Sequence, residues 1–244
     1  TDLTNWLSEI KRFNASWLIL ETPLNRAIPQ TFLETLISHG IEPVLRINPG
    51  LSSAMPLSEI KLLMDSYAKW GIHYIILFDK PNMKSFWPAA SWAQSDLVER
   101  FLDRFISLAG QVIQSKLIPV FPVLQPGGDY WDTSFLKGCL EGLIRRGKTD
   151  LLAQMVLSAQ AEFSPSGIQW GAGGPEKWPG ARPYQKSKTE EDHRGLYIFD
   201  WYNAICKSIL NSNLPILLLN AGGTAQSGNS VNNYLSVFQL LNNE

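Results

Sequence analysis

Six short, continuously apolar runs recur along the chain, and stretches with helical period separate them. They are Ser16–Leu20, Ile41–Ile47, His73–Phe78, Leu117–Leu124, Leu152–Ala159 and Leu214–Leu219. None alternates apolar with polar residues, so each is expected to be a strand covered on both faces, as in a parallel sheet. Between them, Thr4–Phe13, Ser58–Trp70 and Asp96–Ser115 place apolar residues at helical spacing, and Asn232–Leu241 adds a helix after the last run. Gly40 and Gly71 each close a helix just before the next strand. Pro43, Pro119, Pro122 and Pro215 fall in or beside strands, which suits strand starts or bulges rather than strand centres.

Strands alternating with helices of 10–15 residues predict an α/β fold with right-handed crossovers. A doubly wound open sheet and a (β/α) barrel both fit that rhythm. The first strand runs into Glu21-Thr22-Pro23-Leu24-Asn25 rather than a GxGxxG turn, so no nucleotide-binding turn is present and the barrel is favoured. The expectation is a single TIM-barrel-like domain over residues 1–244.

Composition removes other classes. Twenty-one basic against 22 acidic residues leave a net charge of -1, too neutral to bind nucleic acid through a general basic field. The longest apolar runs fall far short of the roughly 20 residues that span a bilayer, so no membrane partner is expected. Cys139 and Cys206 form no CxxC pair, and His39, His73 and His193 have no zinc-ligand spacing. No metal or cofactor is expected, and nothing fixes the compartment. A chain opening on Thr1 reads as a processed product or an excised piece.

In either α/β architecture chemistry sits at the carboxyl ends of the strands. Those ends carry Glu21 and Thr22, Arg46 and Asn48, Asp79 to Asn82, Gln125 to Asp129, Gln160 and Glu162, and Asn220 to Gly222. All are polar, as a cleft requires, although any strand must also leave into a polar loop. The segment Tyr74-Ile75-Ile76-Leu77-Phe78-Asp79-Lys80-Pro81-Asn82 resembles the fourth strand of the (β/α)8 retaining glycoside hydrolases, which carry Asn-Glu-Pro there with the Glu as acid/base. Leu214 to Gly222 similarly resembles their seventh strand, which ends in a nucleophilic Glu. Arg46 falls near the place where that clan keeps an arginine beside its nucleophile.

Lys80 stands where the resemblance implies the acid/base, and Asn220 where it implies the nucleophile. Retaining hydrolysis needs two carboxyl groups about 5–5.5 Å apart. An ammonium with a pKa of about 10.4 is a poor proton donor to a glycosidic oxygen, and a carboxamide cannot form the glycosyl intermediate. The resemblance therefore implies a degenerate site. Substitutes among the strand-end carboxylates (Glu21, Asp79, Asp129, Asp132 and Glu162) narrow to Asp79 and Glu162. Asp79 is better suited to pairing with Lys80 or Arg46, or to capping the next turn.

Nine tryptophans in 244 residues also need an explanation. Trp87, Trp92, Tyr130, Trp131, Trp170 and Trp178 follow strands, and aromatic faces suit the C–H faces of sugars. Half of them are expected to anchor their own loops instead. Trp6, Trp17 and Trp70 are expected in the core, and Phe199, Trp201 and Tyr202 pack at a helix start. Residues 163–194 form a long aromatic-bearing loop, expected to be ordered over the strand ends. Its Gly171-Ala172-Gly173-Gly174 run lacks the Lys-Ser/Thr ending of a phosphate cradle.

These features predict a glycoside-hydrolase-like domain that binds an oligosaccharide or polysaccharide without cleaving it. Arg46, Asn82, Trp87, Asp129, Trp131, Gln160, Trp170 and Trp178 are the expected ligand-binding residues. An active glycosidase with relocated carboxylates and a structural or protein-interaction domain are the alternatives. Six strands resembling strands two to seven fall short of eight, so the barrel is either opened or completed by other parts of a longer chain.

Overall fold

The structure, a computed structural model, describes residues 2–49, 56–162, 167–185, 189–221 and 231–241. Its first elements are α1 (Asp2–Arg12), β1 (Trp17–Thr22), α2 (Gln30–Ser38), β2 (Glu42–Ile47), α3 (Leu57–Lys69) and β3 (Tyr74–Leu77). A 3₁₀ turn at Lys84–Phe86 leads to α4 (Ala89–Trp92), α5 (Leu97–Gln114), β4 (Ile118–Val120), α6 (Asp132–Arg145) and α7 (Thr149–Gln154). The chain continues with β5 (Leu157–Gln160), α8 (Gly174–Lys177), α9 (Ile198–Leu210), β6 (Ile216–Leu219) and α10 (Val231–Leu241). It is a mixed α/β protein with parallel strands. It divides into two compact units, the first Thr1–Asp79, Asp103–Pro122 and Asp150–Met155, the second Lys80–Leu102, Val123–Thr149 and Val156–Glu244.

In the first unit β1, β2, β3 and β4 lie side by side in that order, all parallel. Ile19, Val44, Tyr74 and Ile118 stand in one row, and Glu21 and Arg46 in another. Leu18 and Leu20 turn to the helical side, where they meet Leu7, Ile10, Phe32, Leu36 and Ile41. Burying such side chains contributes about 1.5–3 kcal/mol each, but the expectation of a strand covered on both faces fails for β1, whose Trp17, Ile19 and Glu21 are exposed on the other side. The prolines fall where a missing N–H is harmless. Pro43 lies in β2 before its pairing with β3 begins at Val44, Pro119 lies on β4, the last strand of this sheet among the described residues, and Pro215 just precedes β6.

In the second unit β5 and β6 pair in parallel from Leu157–Ile216 to Gln160–Leu219. Helices α6 and α9 pack together, burying Phe135, Leu136, Cys139 and Leu140 of one and Ile198, Trp201, Tyr202 and Cys206 of the other. Both cysteines are free. Burial first, with Glu99 adding for Cys139, pushes both thiols above their usual range, so they behave as small apolar residues.

Three further expectations need correction. The run Leu152–Ala159 is not one strand: its first part belongs to α7, whose Leu151 and Leu152 are buried, and β5 starts only at Leu157. The run at Leu117–Leu124 forms a strand only over Ile118–Val120, and the next residue but one, Pro122, has no N–H to continue the ladder. Trp6 and Trp17 are not in the core, being 67% and 49% exposed. Trp6 lies roughly a third of a turn from Leu7 on α1, beyond the stripe that meets the sheet. Trp17 sits on β1, whose outer edge has no strand beside it among the described residues, and rests on the Tyr74 ring at 5.4 Å. Trp70 is half-buried against Tyr67.

Candidate functional site

At the carboxyl ends of β1 and β2, Arg46 reaches across to Glu21, its neighbour in register, and forms an ion pair with it. Arg46 also lies 3.6 Å from Asp79 Oδ1. Of the two pairings expected for Asp79, that with Arg46 is present. One guanidinium thus engages both acidic side chains at this end of the first unit, and Glu21 is 63% exposed.

The backbone after β3 is unusual. Phe78 and Lys80 have φ of 69° and 50°, left-handed values that a bulky side chain rarely adopts. Their amides donate to Ile47 O at 2.7 Å and Val123 O at 2.8 Å respectively, which holds the bend. Asn220, directly after β6, has φ 53° and is exposed. Both positions that the resemblance equates with catalytic glutamates are therefore left-handed.

Asn82 is fully buried, and its amide is consumed internally. Nδ2 donates to Gln125 O and Tyr130 O, each at 2.9 Å, and Oδ1 accepts the Gln125 N–H at 2.9 Å. It clamps the loop after β3 to the loop after β4. Asp129 caps the same region, its Oδ2 accepting the Lys84 N–H at 2.8 Å. A Cβ at Gly128 would crowd Asn82 Nδ2 at 2.5 Å and Met83 Sδ at 2.8 Å, so glycine lets the two loops approach.

At the end of β5, Gln160 is only 5% exposed. Its Nε2 donates to Glu162 Oε1 at 2.6 Å, while its Oε1 is buried with no hydrogen-bond partner.

Three of the tryptophans expected to face a ligand, Trp87, Trp170 and Trp178, give their indole N–H to the protein. Trp87 is buried, donates to Pro81 O at 2.7 Å and lies under Arg100. Trp131 is buried against Tyr184, His193 and Arg194, and its backbone N–H donates to the Tyr184 hydroxyl at 2.8 Å. Trp170 donates to Asp192 Oδ1 at 3.1 Å and Trp178 to Ala172 O at 3.1 Å. Both are half-buried, as is Trp92, with Lys84 6.0 Å from its ring. The described part of the long loop is ordered by these contacts and by α8 rather than structureless. Phe163 and Gly222 lie outside the described residues.

One polar cluster has no sequence signal. Asp132, at the start of α6, is fully buried, and His193 is 2% exposed. Asp132 Oδ1 accepts from His193 Nε2 at 2.7 Å and from the Gly127 N–H at 2.8 Å, while Oδ2 accepts the Tyr202 hydroxyl at 3.0 Å. Burial and the adjacent Asp132 carboxylate push the Tyr202 phenol well above its ordinary value, which keeps it a donor. These groups sit 61 and 70 residues from Asp132, so no spacing motif could reveal them. Separately, an open pocket of about 440 Å³ lies before β3 and β4, lined by Asp65, Lys69, His73, Ser115 and Lys116 among others. It is at the amino ends of those strands, away from the positions the motifs mark.

The fold and these strand ends define a mixed α/β protein with parallel sheets and polar carboxyl-end loops. No protein-family model matches the chain, and no curated protein matches it significantly. Among the described residues no helix is long and apolar enough to cross a membrane.

Proposed function

We propose that this chain is a glycoside-hydrolase-like (β/α)-barrel domain that binds carbohydrate without hydrolysing it. The observation that carries the reading is the left-handed backbone at Phe78, Lys80 and Asn220. At a bulky residue such as Phe78 or Lys80 this conformation costs about 1–3 kcal/mol and clusters at functional sites, whereas an asparagine adopts it readily, at Asn220 as at Asn14 and Asn211. Phe78, Lys80 and Asn220 fall at carboxyl ends of parallel strands, where α/β proteins bind ligands. Neither Lys80 nor Asn220 has a carboxyl group for acid or nucleophilic work. The strand-end carboxylates have partners within their own units: Glu21 pairs with Arg46, Asp129 takes the Lys84 amide and Glu162 takes Gln160, while Asp79 has an ion-pair contact with Arg46 at 3.6 Å and no hydrogen bond at Oδ1. Hydrolysis assays on aryl glycosides and oligosaccharides should give no turnover. Turnover abolished by Asp79→Asn or Glu162→Gln would establish an active glycosidase instead.

A second reading, a structural or protein-interaction domain without a small ligand, is favoured by the aromatic anchors. Trp87, Trp170 and Trp178 each give their indole N–H to the protein itself. A glycan array and calorimetry separate the two readings, since the structural domain binds no glycan at millimolar concentration.

A further inference from the structure

The unmatched group at the end of β5 points to what the site would recognise. Among the described residues of the second unit two carboxamides, Asn82 and Gln160, are buried, and they differ in one respect. Asn82 uses both amide hydrogens and its carbonyl oxygen. Gln160 uses its nitrogen only. Its orientation is fixed, because a carboxylate has no hydrogen to give and the amide nitrogen must face Glu162. The carbonyl oxygen is therefore held as an acceptor in a residue 95% buried (5% exposed), and native proteins rarely leave such an atom unmet.

We infer that Gln160 Oε1 and the Glu162 carboxylate together accept hydrogen bonds from a pair of adjacent hydroxyls on a neutral sugar. Glu162, half-buried just past the end of β5, accepts the Gln160 Nε2 hydrogen bond, so the two side chains lie side by side. The two side chains offer acceptors and one negative charge. Phosphates and carboxylates, which bring acceptors and negative charge of their own, are excluded by this chemistry. A vicinal diol supplies two donors at the spacing of neighbouring ring carbons. A site built to bond a hydroxyl rejects the analogue lacking it, because its own buried group is then left unpaired. This inference rests on the carbohydrate reading above and adds the functional group recognised.

The test is calorimetric titration of the full chain with methyl glycosides of glucose, galactose, mannose and xylose, and with the monodeoxy analogues of those that bind. Removing the recognised hydroxyl should weaken binding about tenfold, or about 1.4 kcal/mol. Gln160→Met keeps the side-chain length without a carbonyl. It should lose about the same factor against the parent sugar and nothing more against the deoxy analogue. Unchanged affinity in a Gln160→Met variant that melts as a folded protein overturns the inference while leaving carbohydrate binding in place. Deoxy analogues that all bind as tightly as their parents overturn it on the unaltered protein. Absence of binding by every glycoside at millimolar concentration overturns both proposals.

Discussion

Two polar clusters centred on carboxylates use similar chemistry under opposite solvation in this molecule. In the first unit Glu21 and Asp79 share Arg46 at the strand ends, with Glu21 largely in water. In the second unit Asp132 is fully buried and takes hydrogen bonds from His193, Tyr202 and the Gly127 amide. The buried cluster has the residue types of a catalytic arrangement, an Asp orienting a His, yet the imidazole is enclosed by Trp131 and Trp201 at 5.3 and 6.1 Å between ring centres. It joins the start of α6 to the end of the long loop and to α9, so its work is structural. A constellation of catalytic residue types is therefore a weak sign of a site. What matters is whether each group's bonding capacity is spent on the protein, as in Asp132 and Asn82, or left over, as in Gln160.

If that contrast is sound, the largest effect of any single change should come from Asp132. Asp132→Ala leaves His193, the Tyr202 hydroxyl and the Gly127 amide without their acceptor in a buried place. Breaking a buried charged cluster typically costs about 3–5 kcal/mol. Urea unfolding should show that loss, and hydrogen exchange should show faster opening at 189–196. A cost below about 1 kcal/mol would place this cluster in the same class as the exposed one.

Asn82→Ala should come next. It strands the carbonyls of Gln125 and Tyr130 and the Gln125 amide, for about 2–3 kcal/mol. Asn82→Asp should cost at least as much, because it turns a carboxylate oxygen toward two carbonyl oxygens. Thermal melting of both variants checks the order. A neutral Asn82→Ala that instead weakened glycoside binding would make Asn82 a ligand contact rather than a clamp.

Asn82 also shows how far the sequence could be read. Its place after an apolar strand was legible, and so was the α/β rhythm, because a strand buried on both faces is apolar at every position. Its bonding was not, since that is decided by carbonyls more than 40 residues away in another loop. Strand limits failed where a single polar residue, Gln154, stands between the buried apolar residues of two elements, as between Leu152 and Leu157. Helix α6 carried little signal because Gly138 and Gly142 lie inside it and weaken helix propensity. The structure supplies the reason for Gly142: a Cβ there would collide with the Leu102 side chain. Trp6 and Trp17 were misplaced because apolar character alone does not say whether a neighbouring element covers a given face.

A smaller, pH-dependent effect belongs to Asp192, which lies between the two extremes of solvation. Burial pushes its carboxyl up, but the Arg194 guanidinium, the Trp170 indole N–H and the Arg194 backbone N–H outweigh that and hold it below its usual value. The folded state therefore binds this proton less readily than the unfolded chain. Its contribution to stability is present in full above the unfolded value of about 3.9 and is lost as pH falls through the folded one. The stability difference between the unaltered protein and Asp192→Asn should be largest near neutrality and should shrink on acidification below about pH 4. A difference that stays constant across that range would mean Asp192 acts through shape alone.

The smallest effect is expected at Glu21, and it tests the contrast from the solvated side. Glu21→Gln removes the charge facing Arg46 but leaves Asp79 to engage the guanidinium. Exposed ion pairs contribute about 0–1 kcal/mol, since water solvates both partners well and ordering two long side chains costs entropy. The substitution should therefore change stability by about 0.5 kcal/mol or less, and by less still in 1 M salt, where charges are screened within about 3 Å. Denaturation at low and high salt measures both quantities. A loss above about 2 kcal/mol that ignores salt would show Arg46 held as tightly as Asp132. With a small, salt-sensitive loss, Arg46 keeps bonding capacity that the fold does not require, and that is the condition for it to meet a ligand.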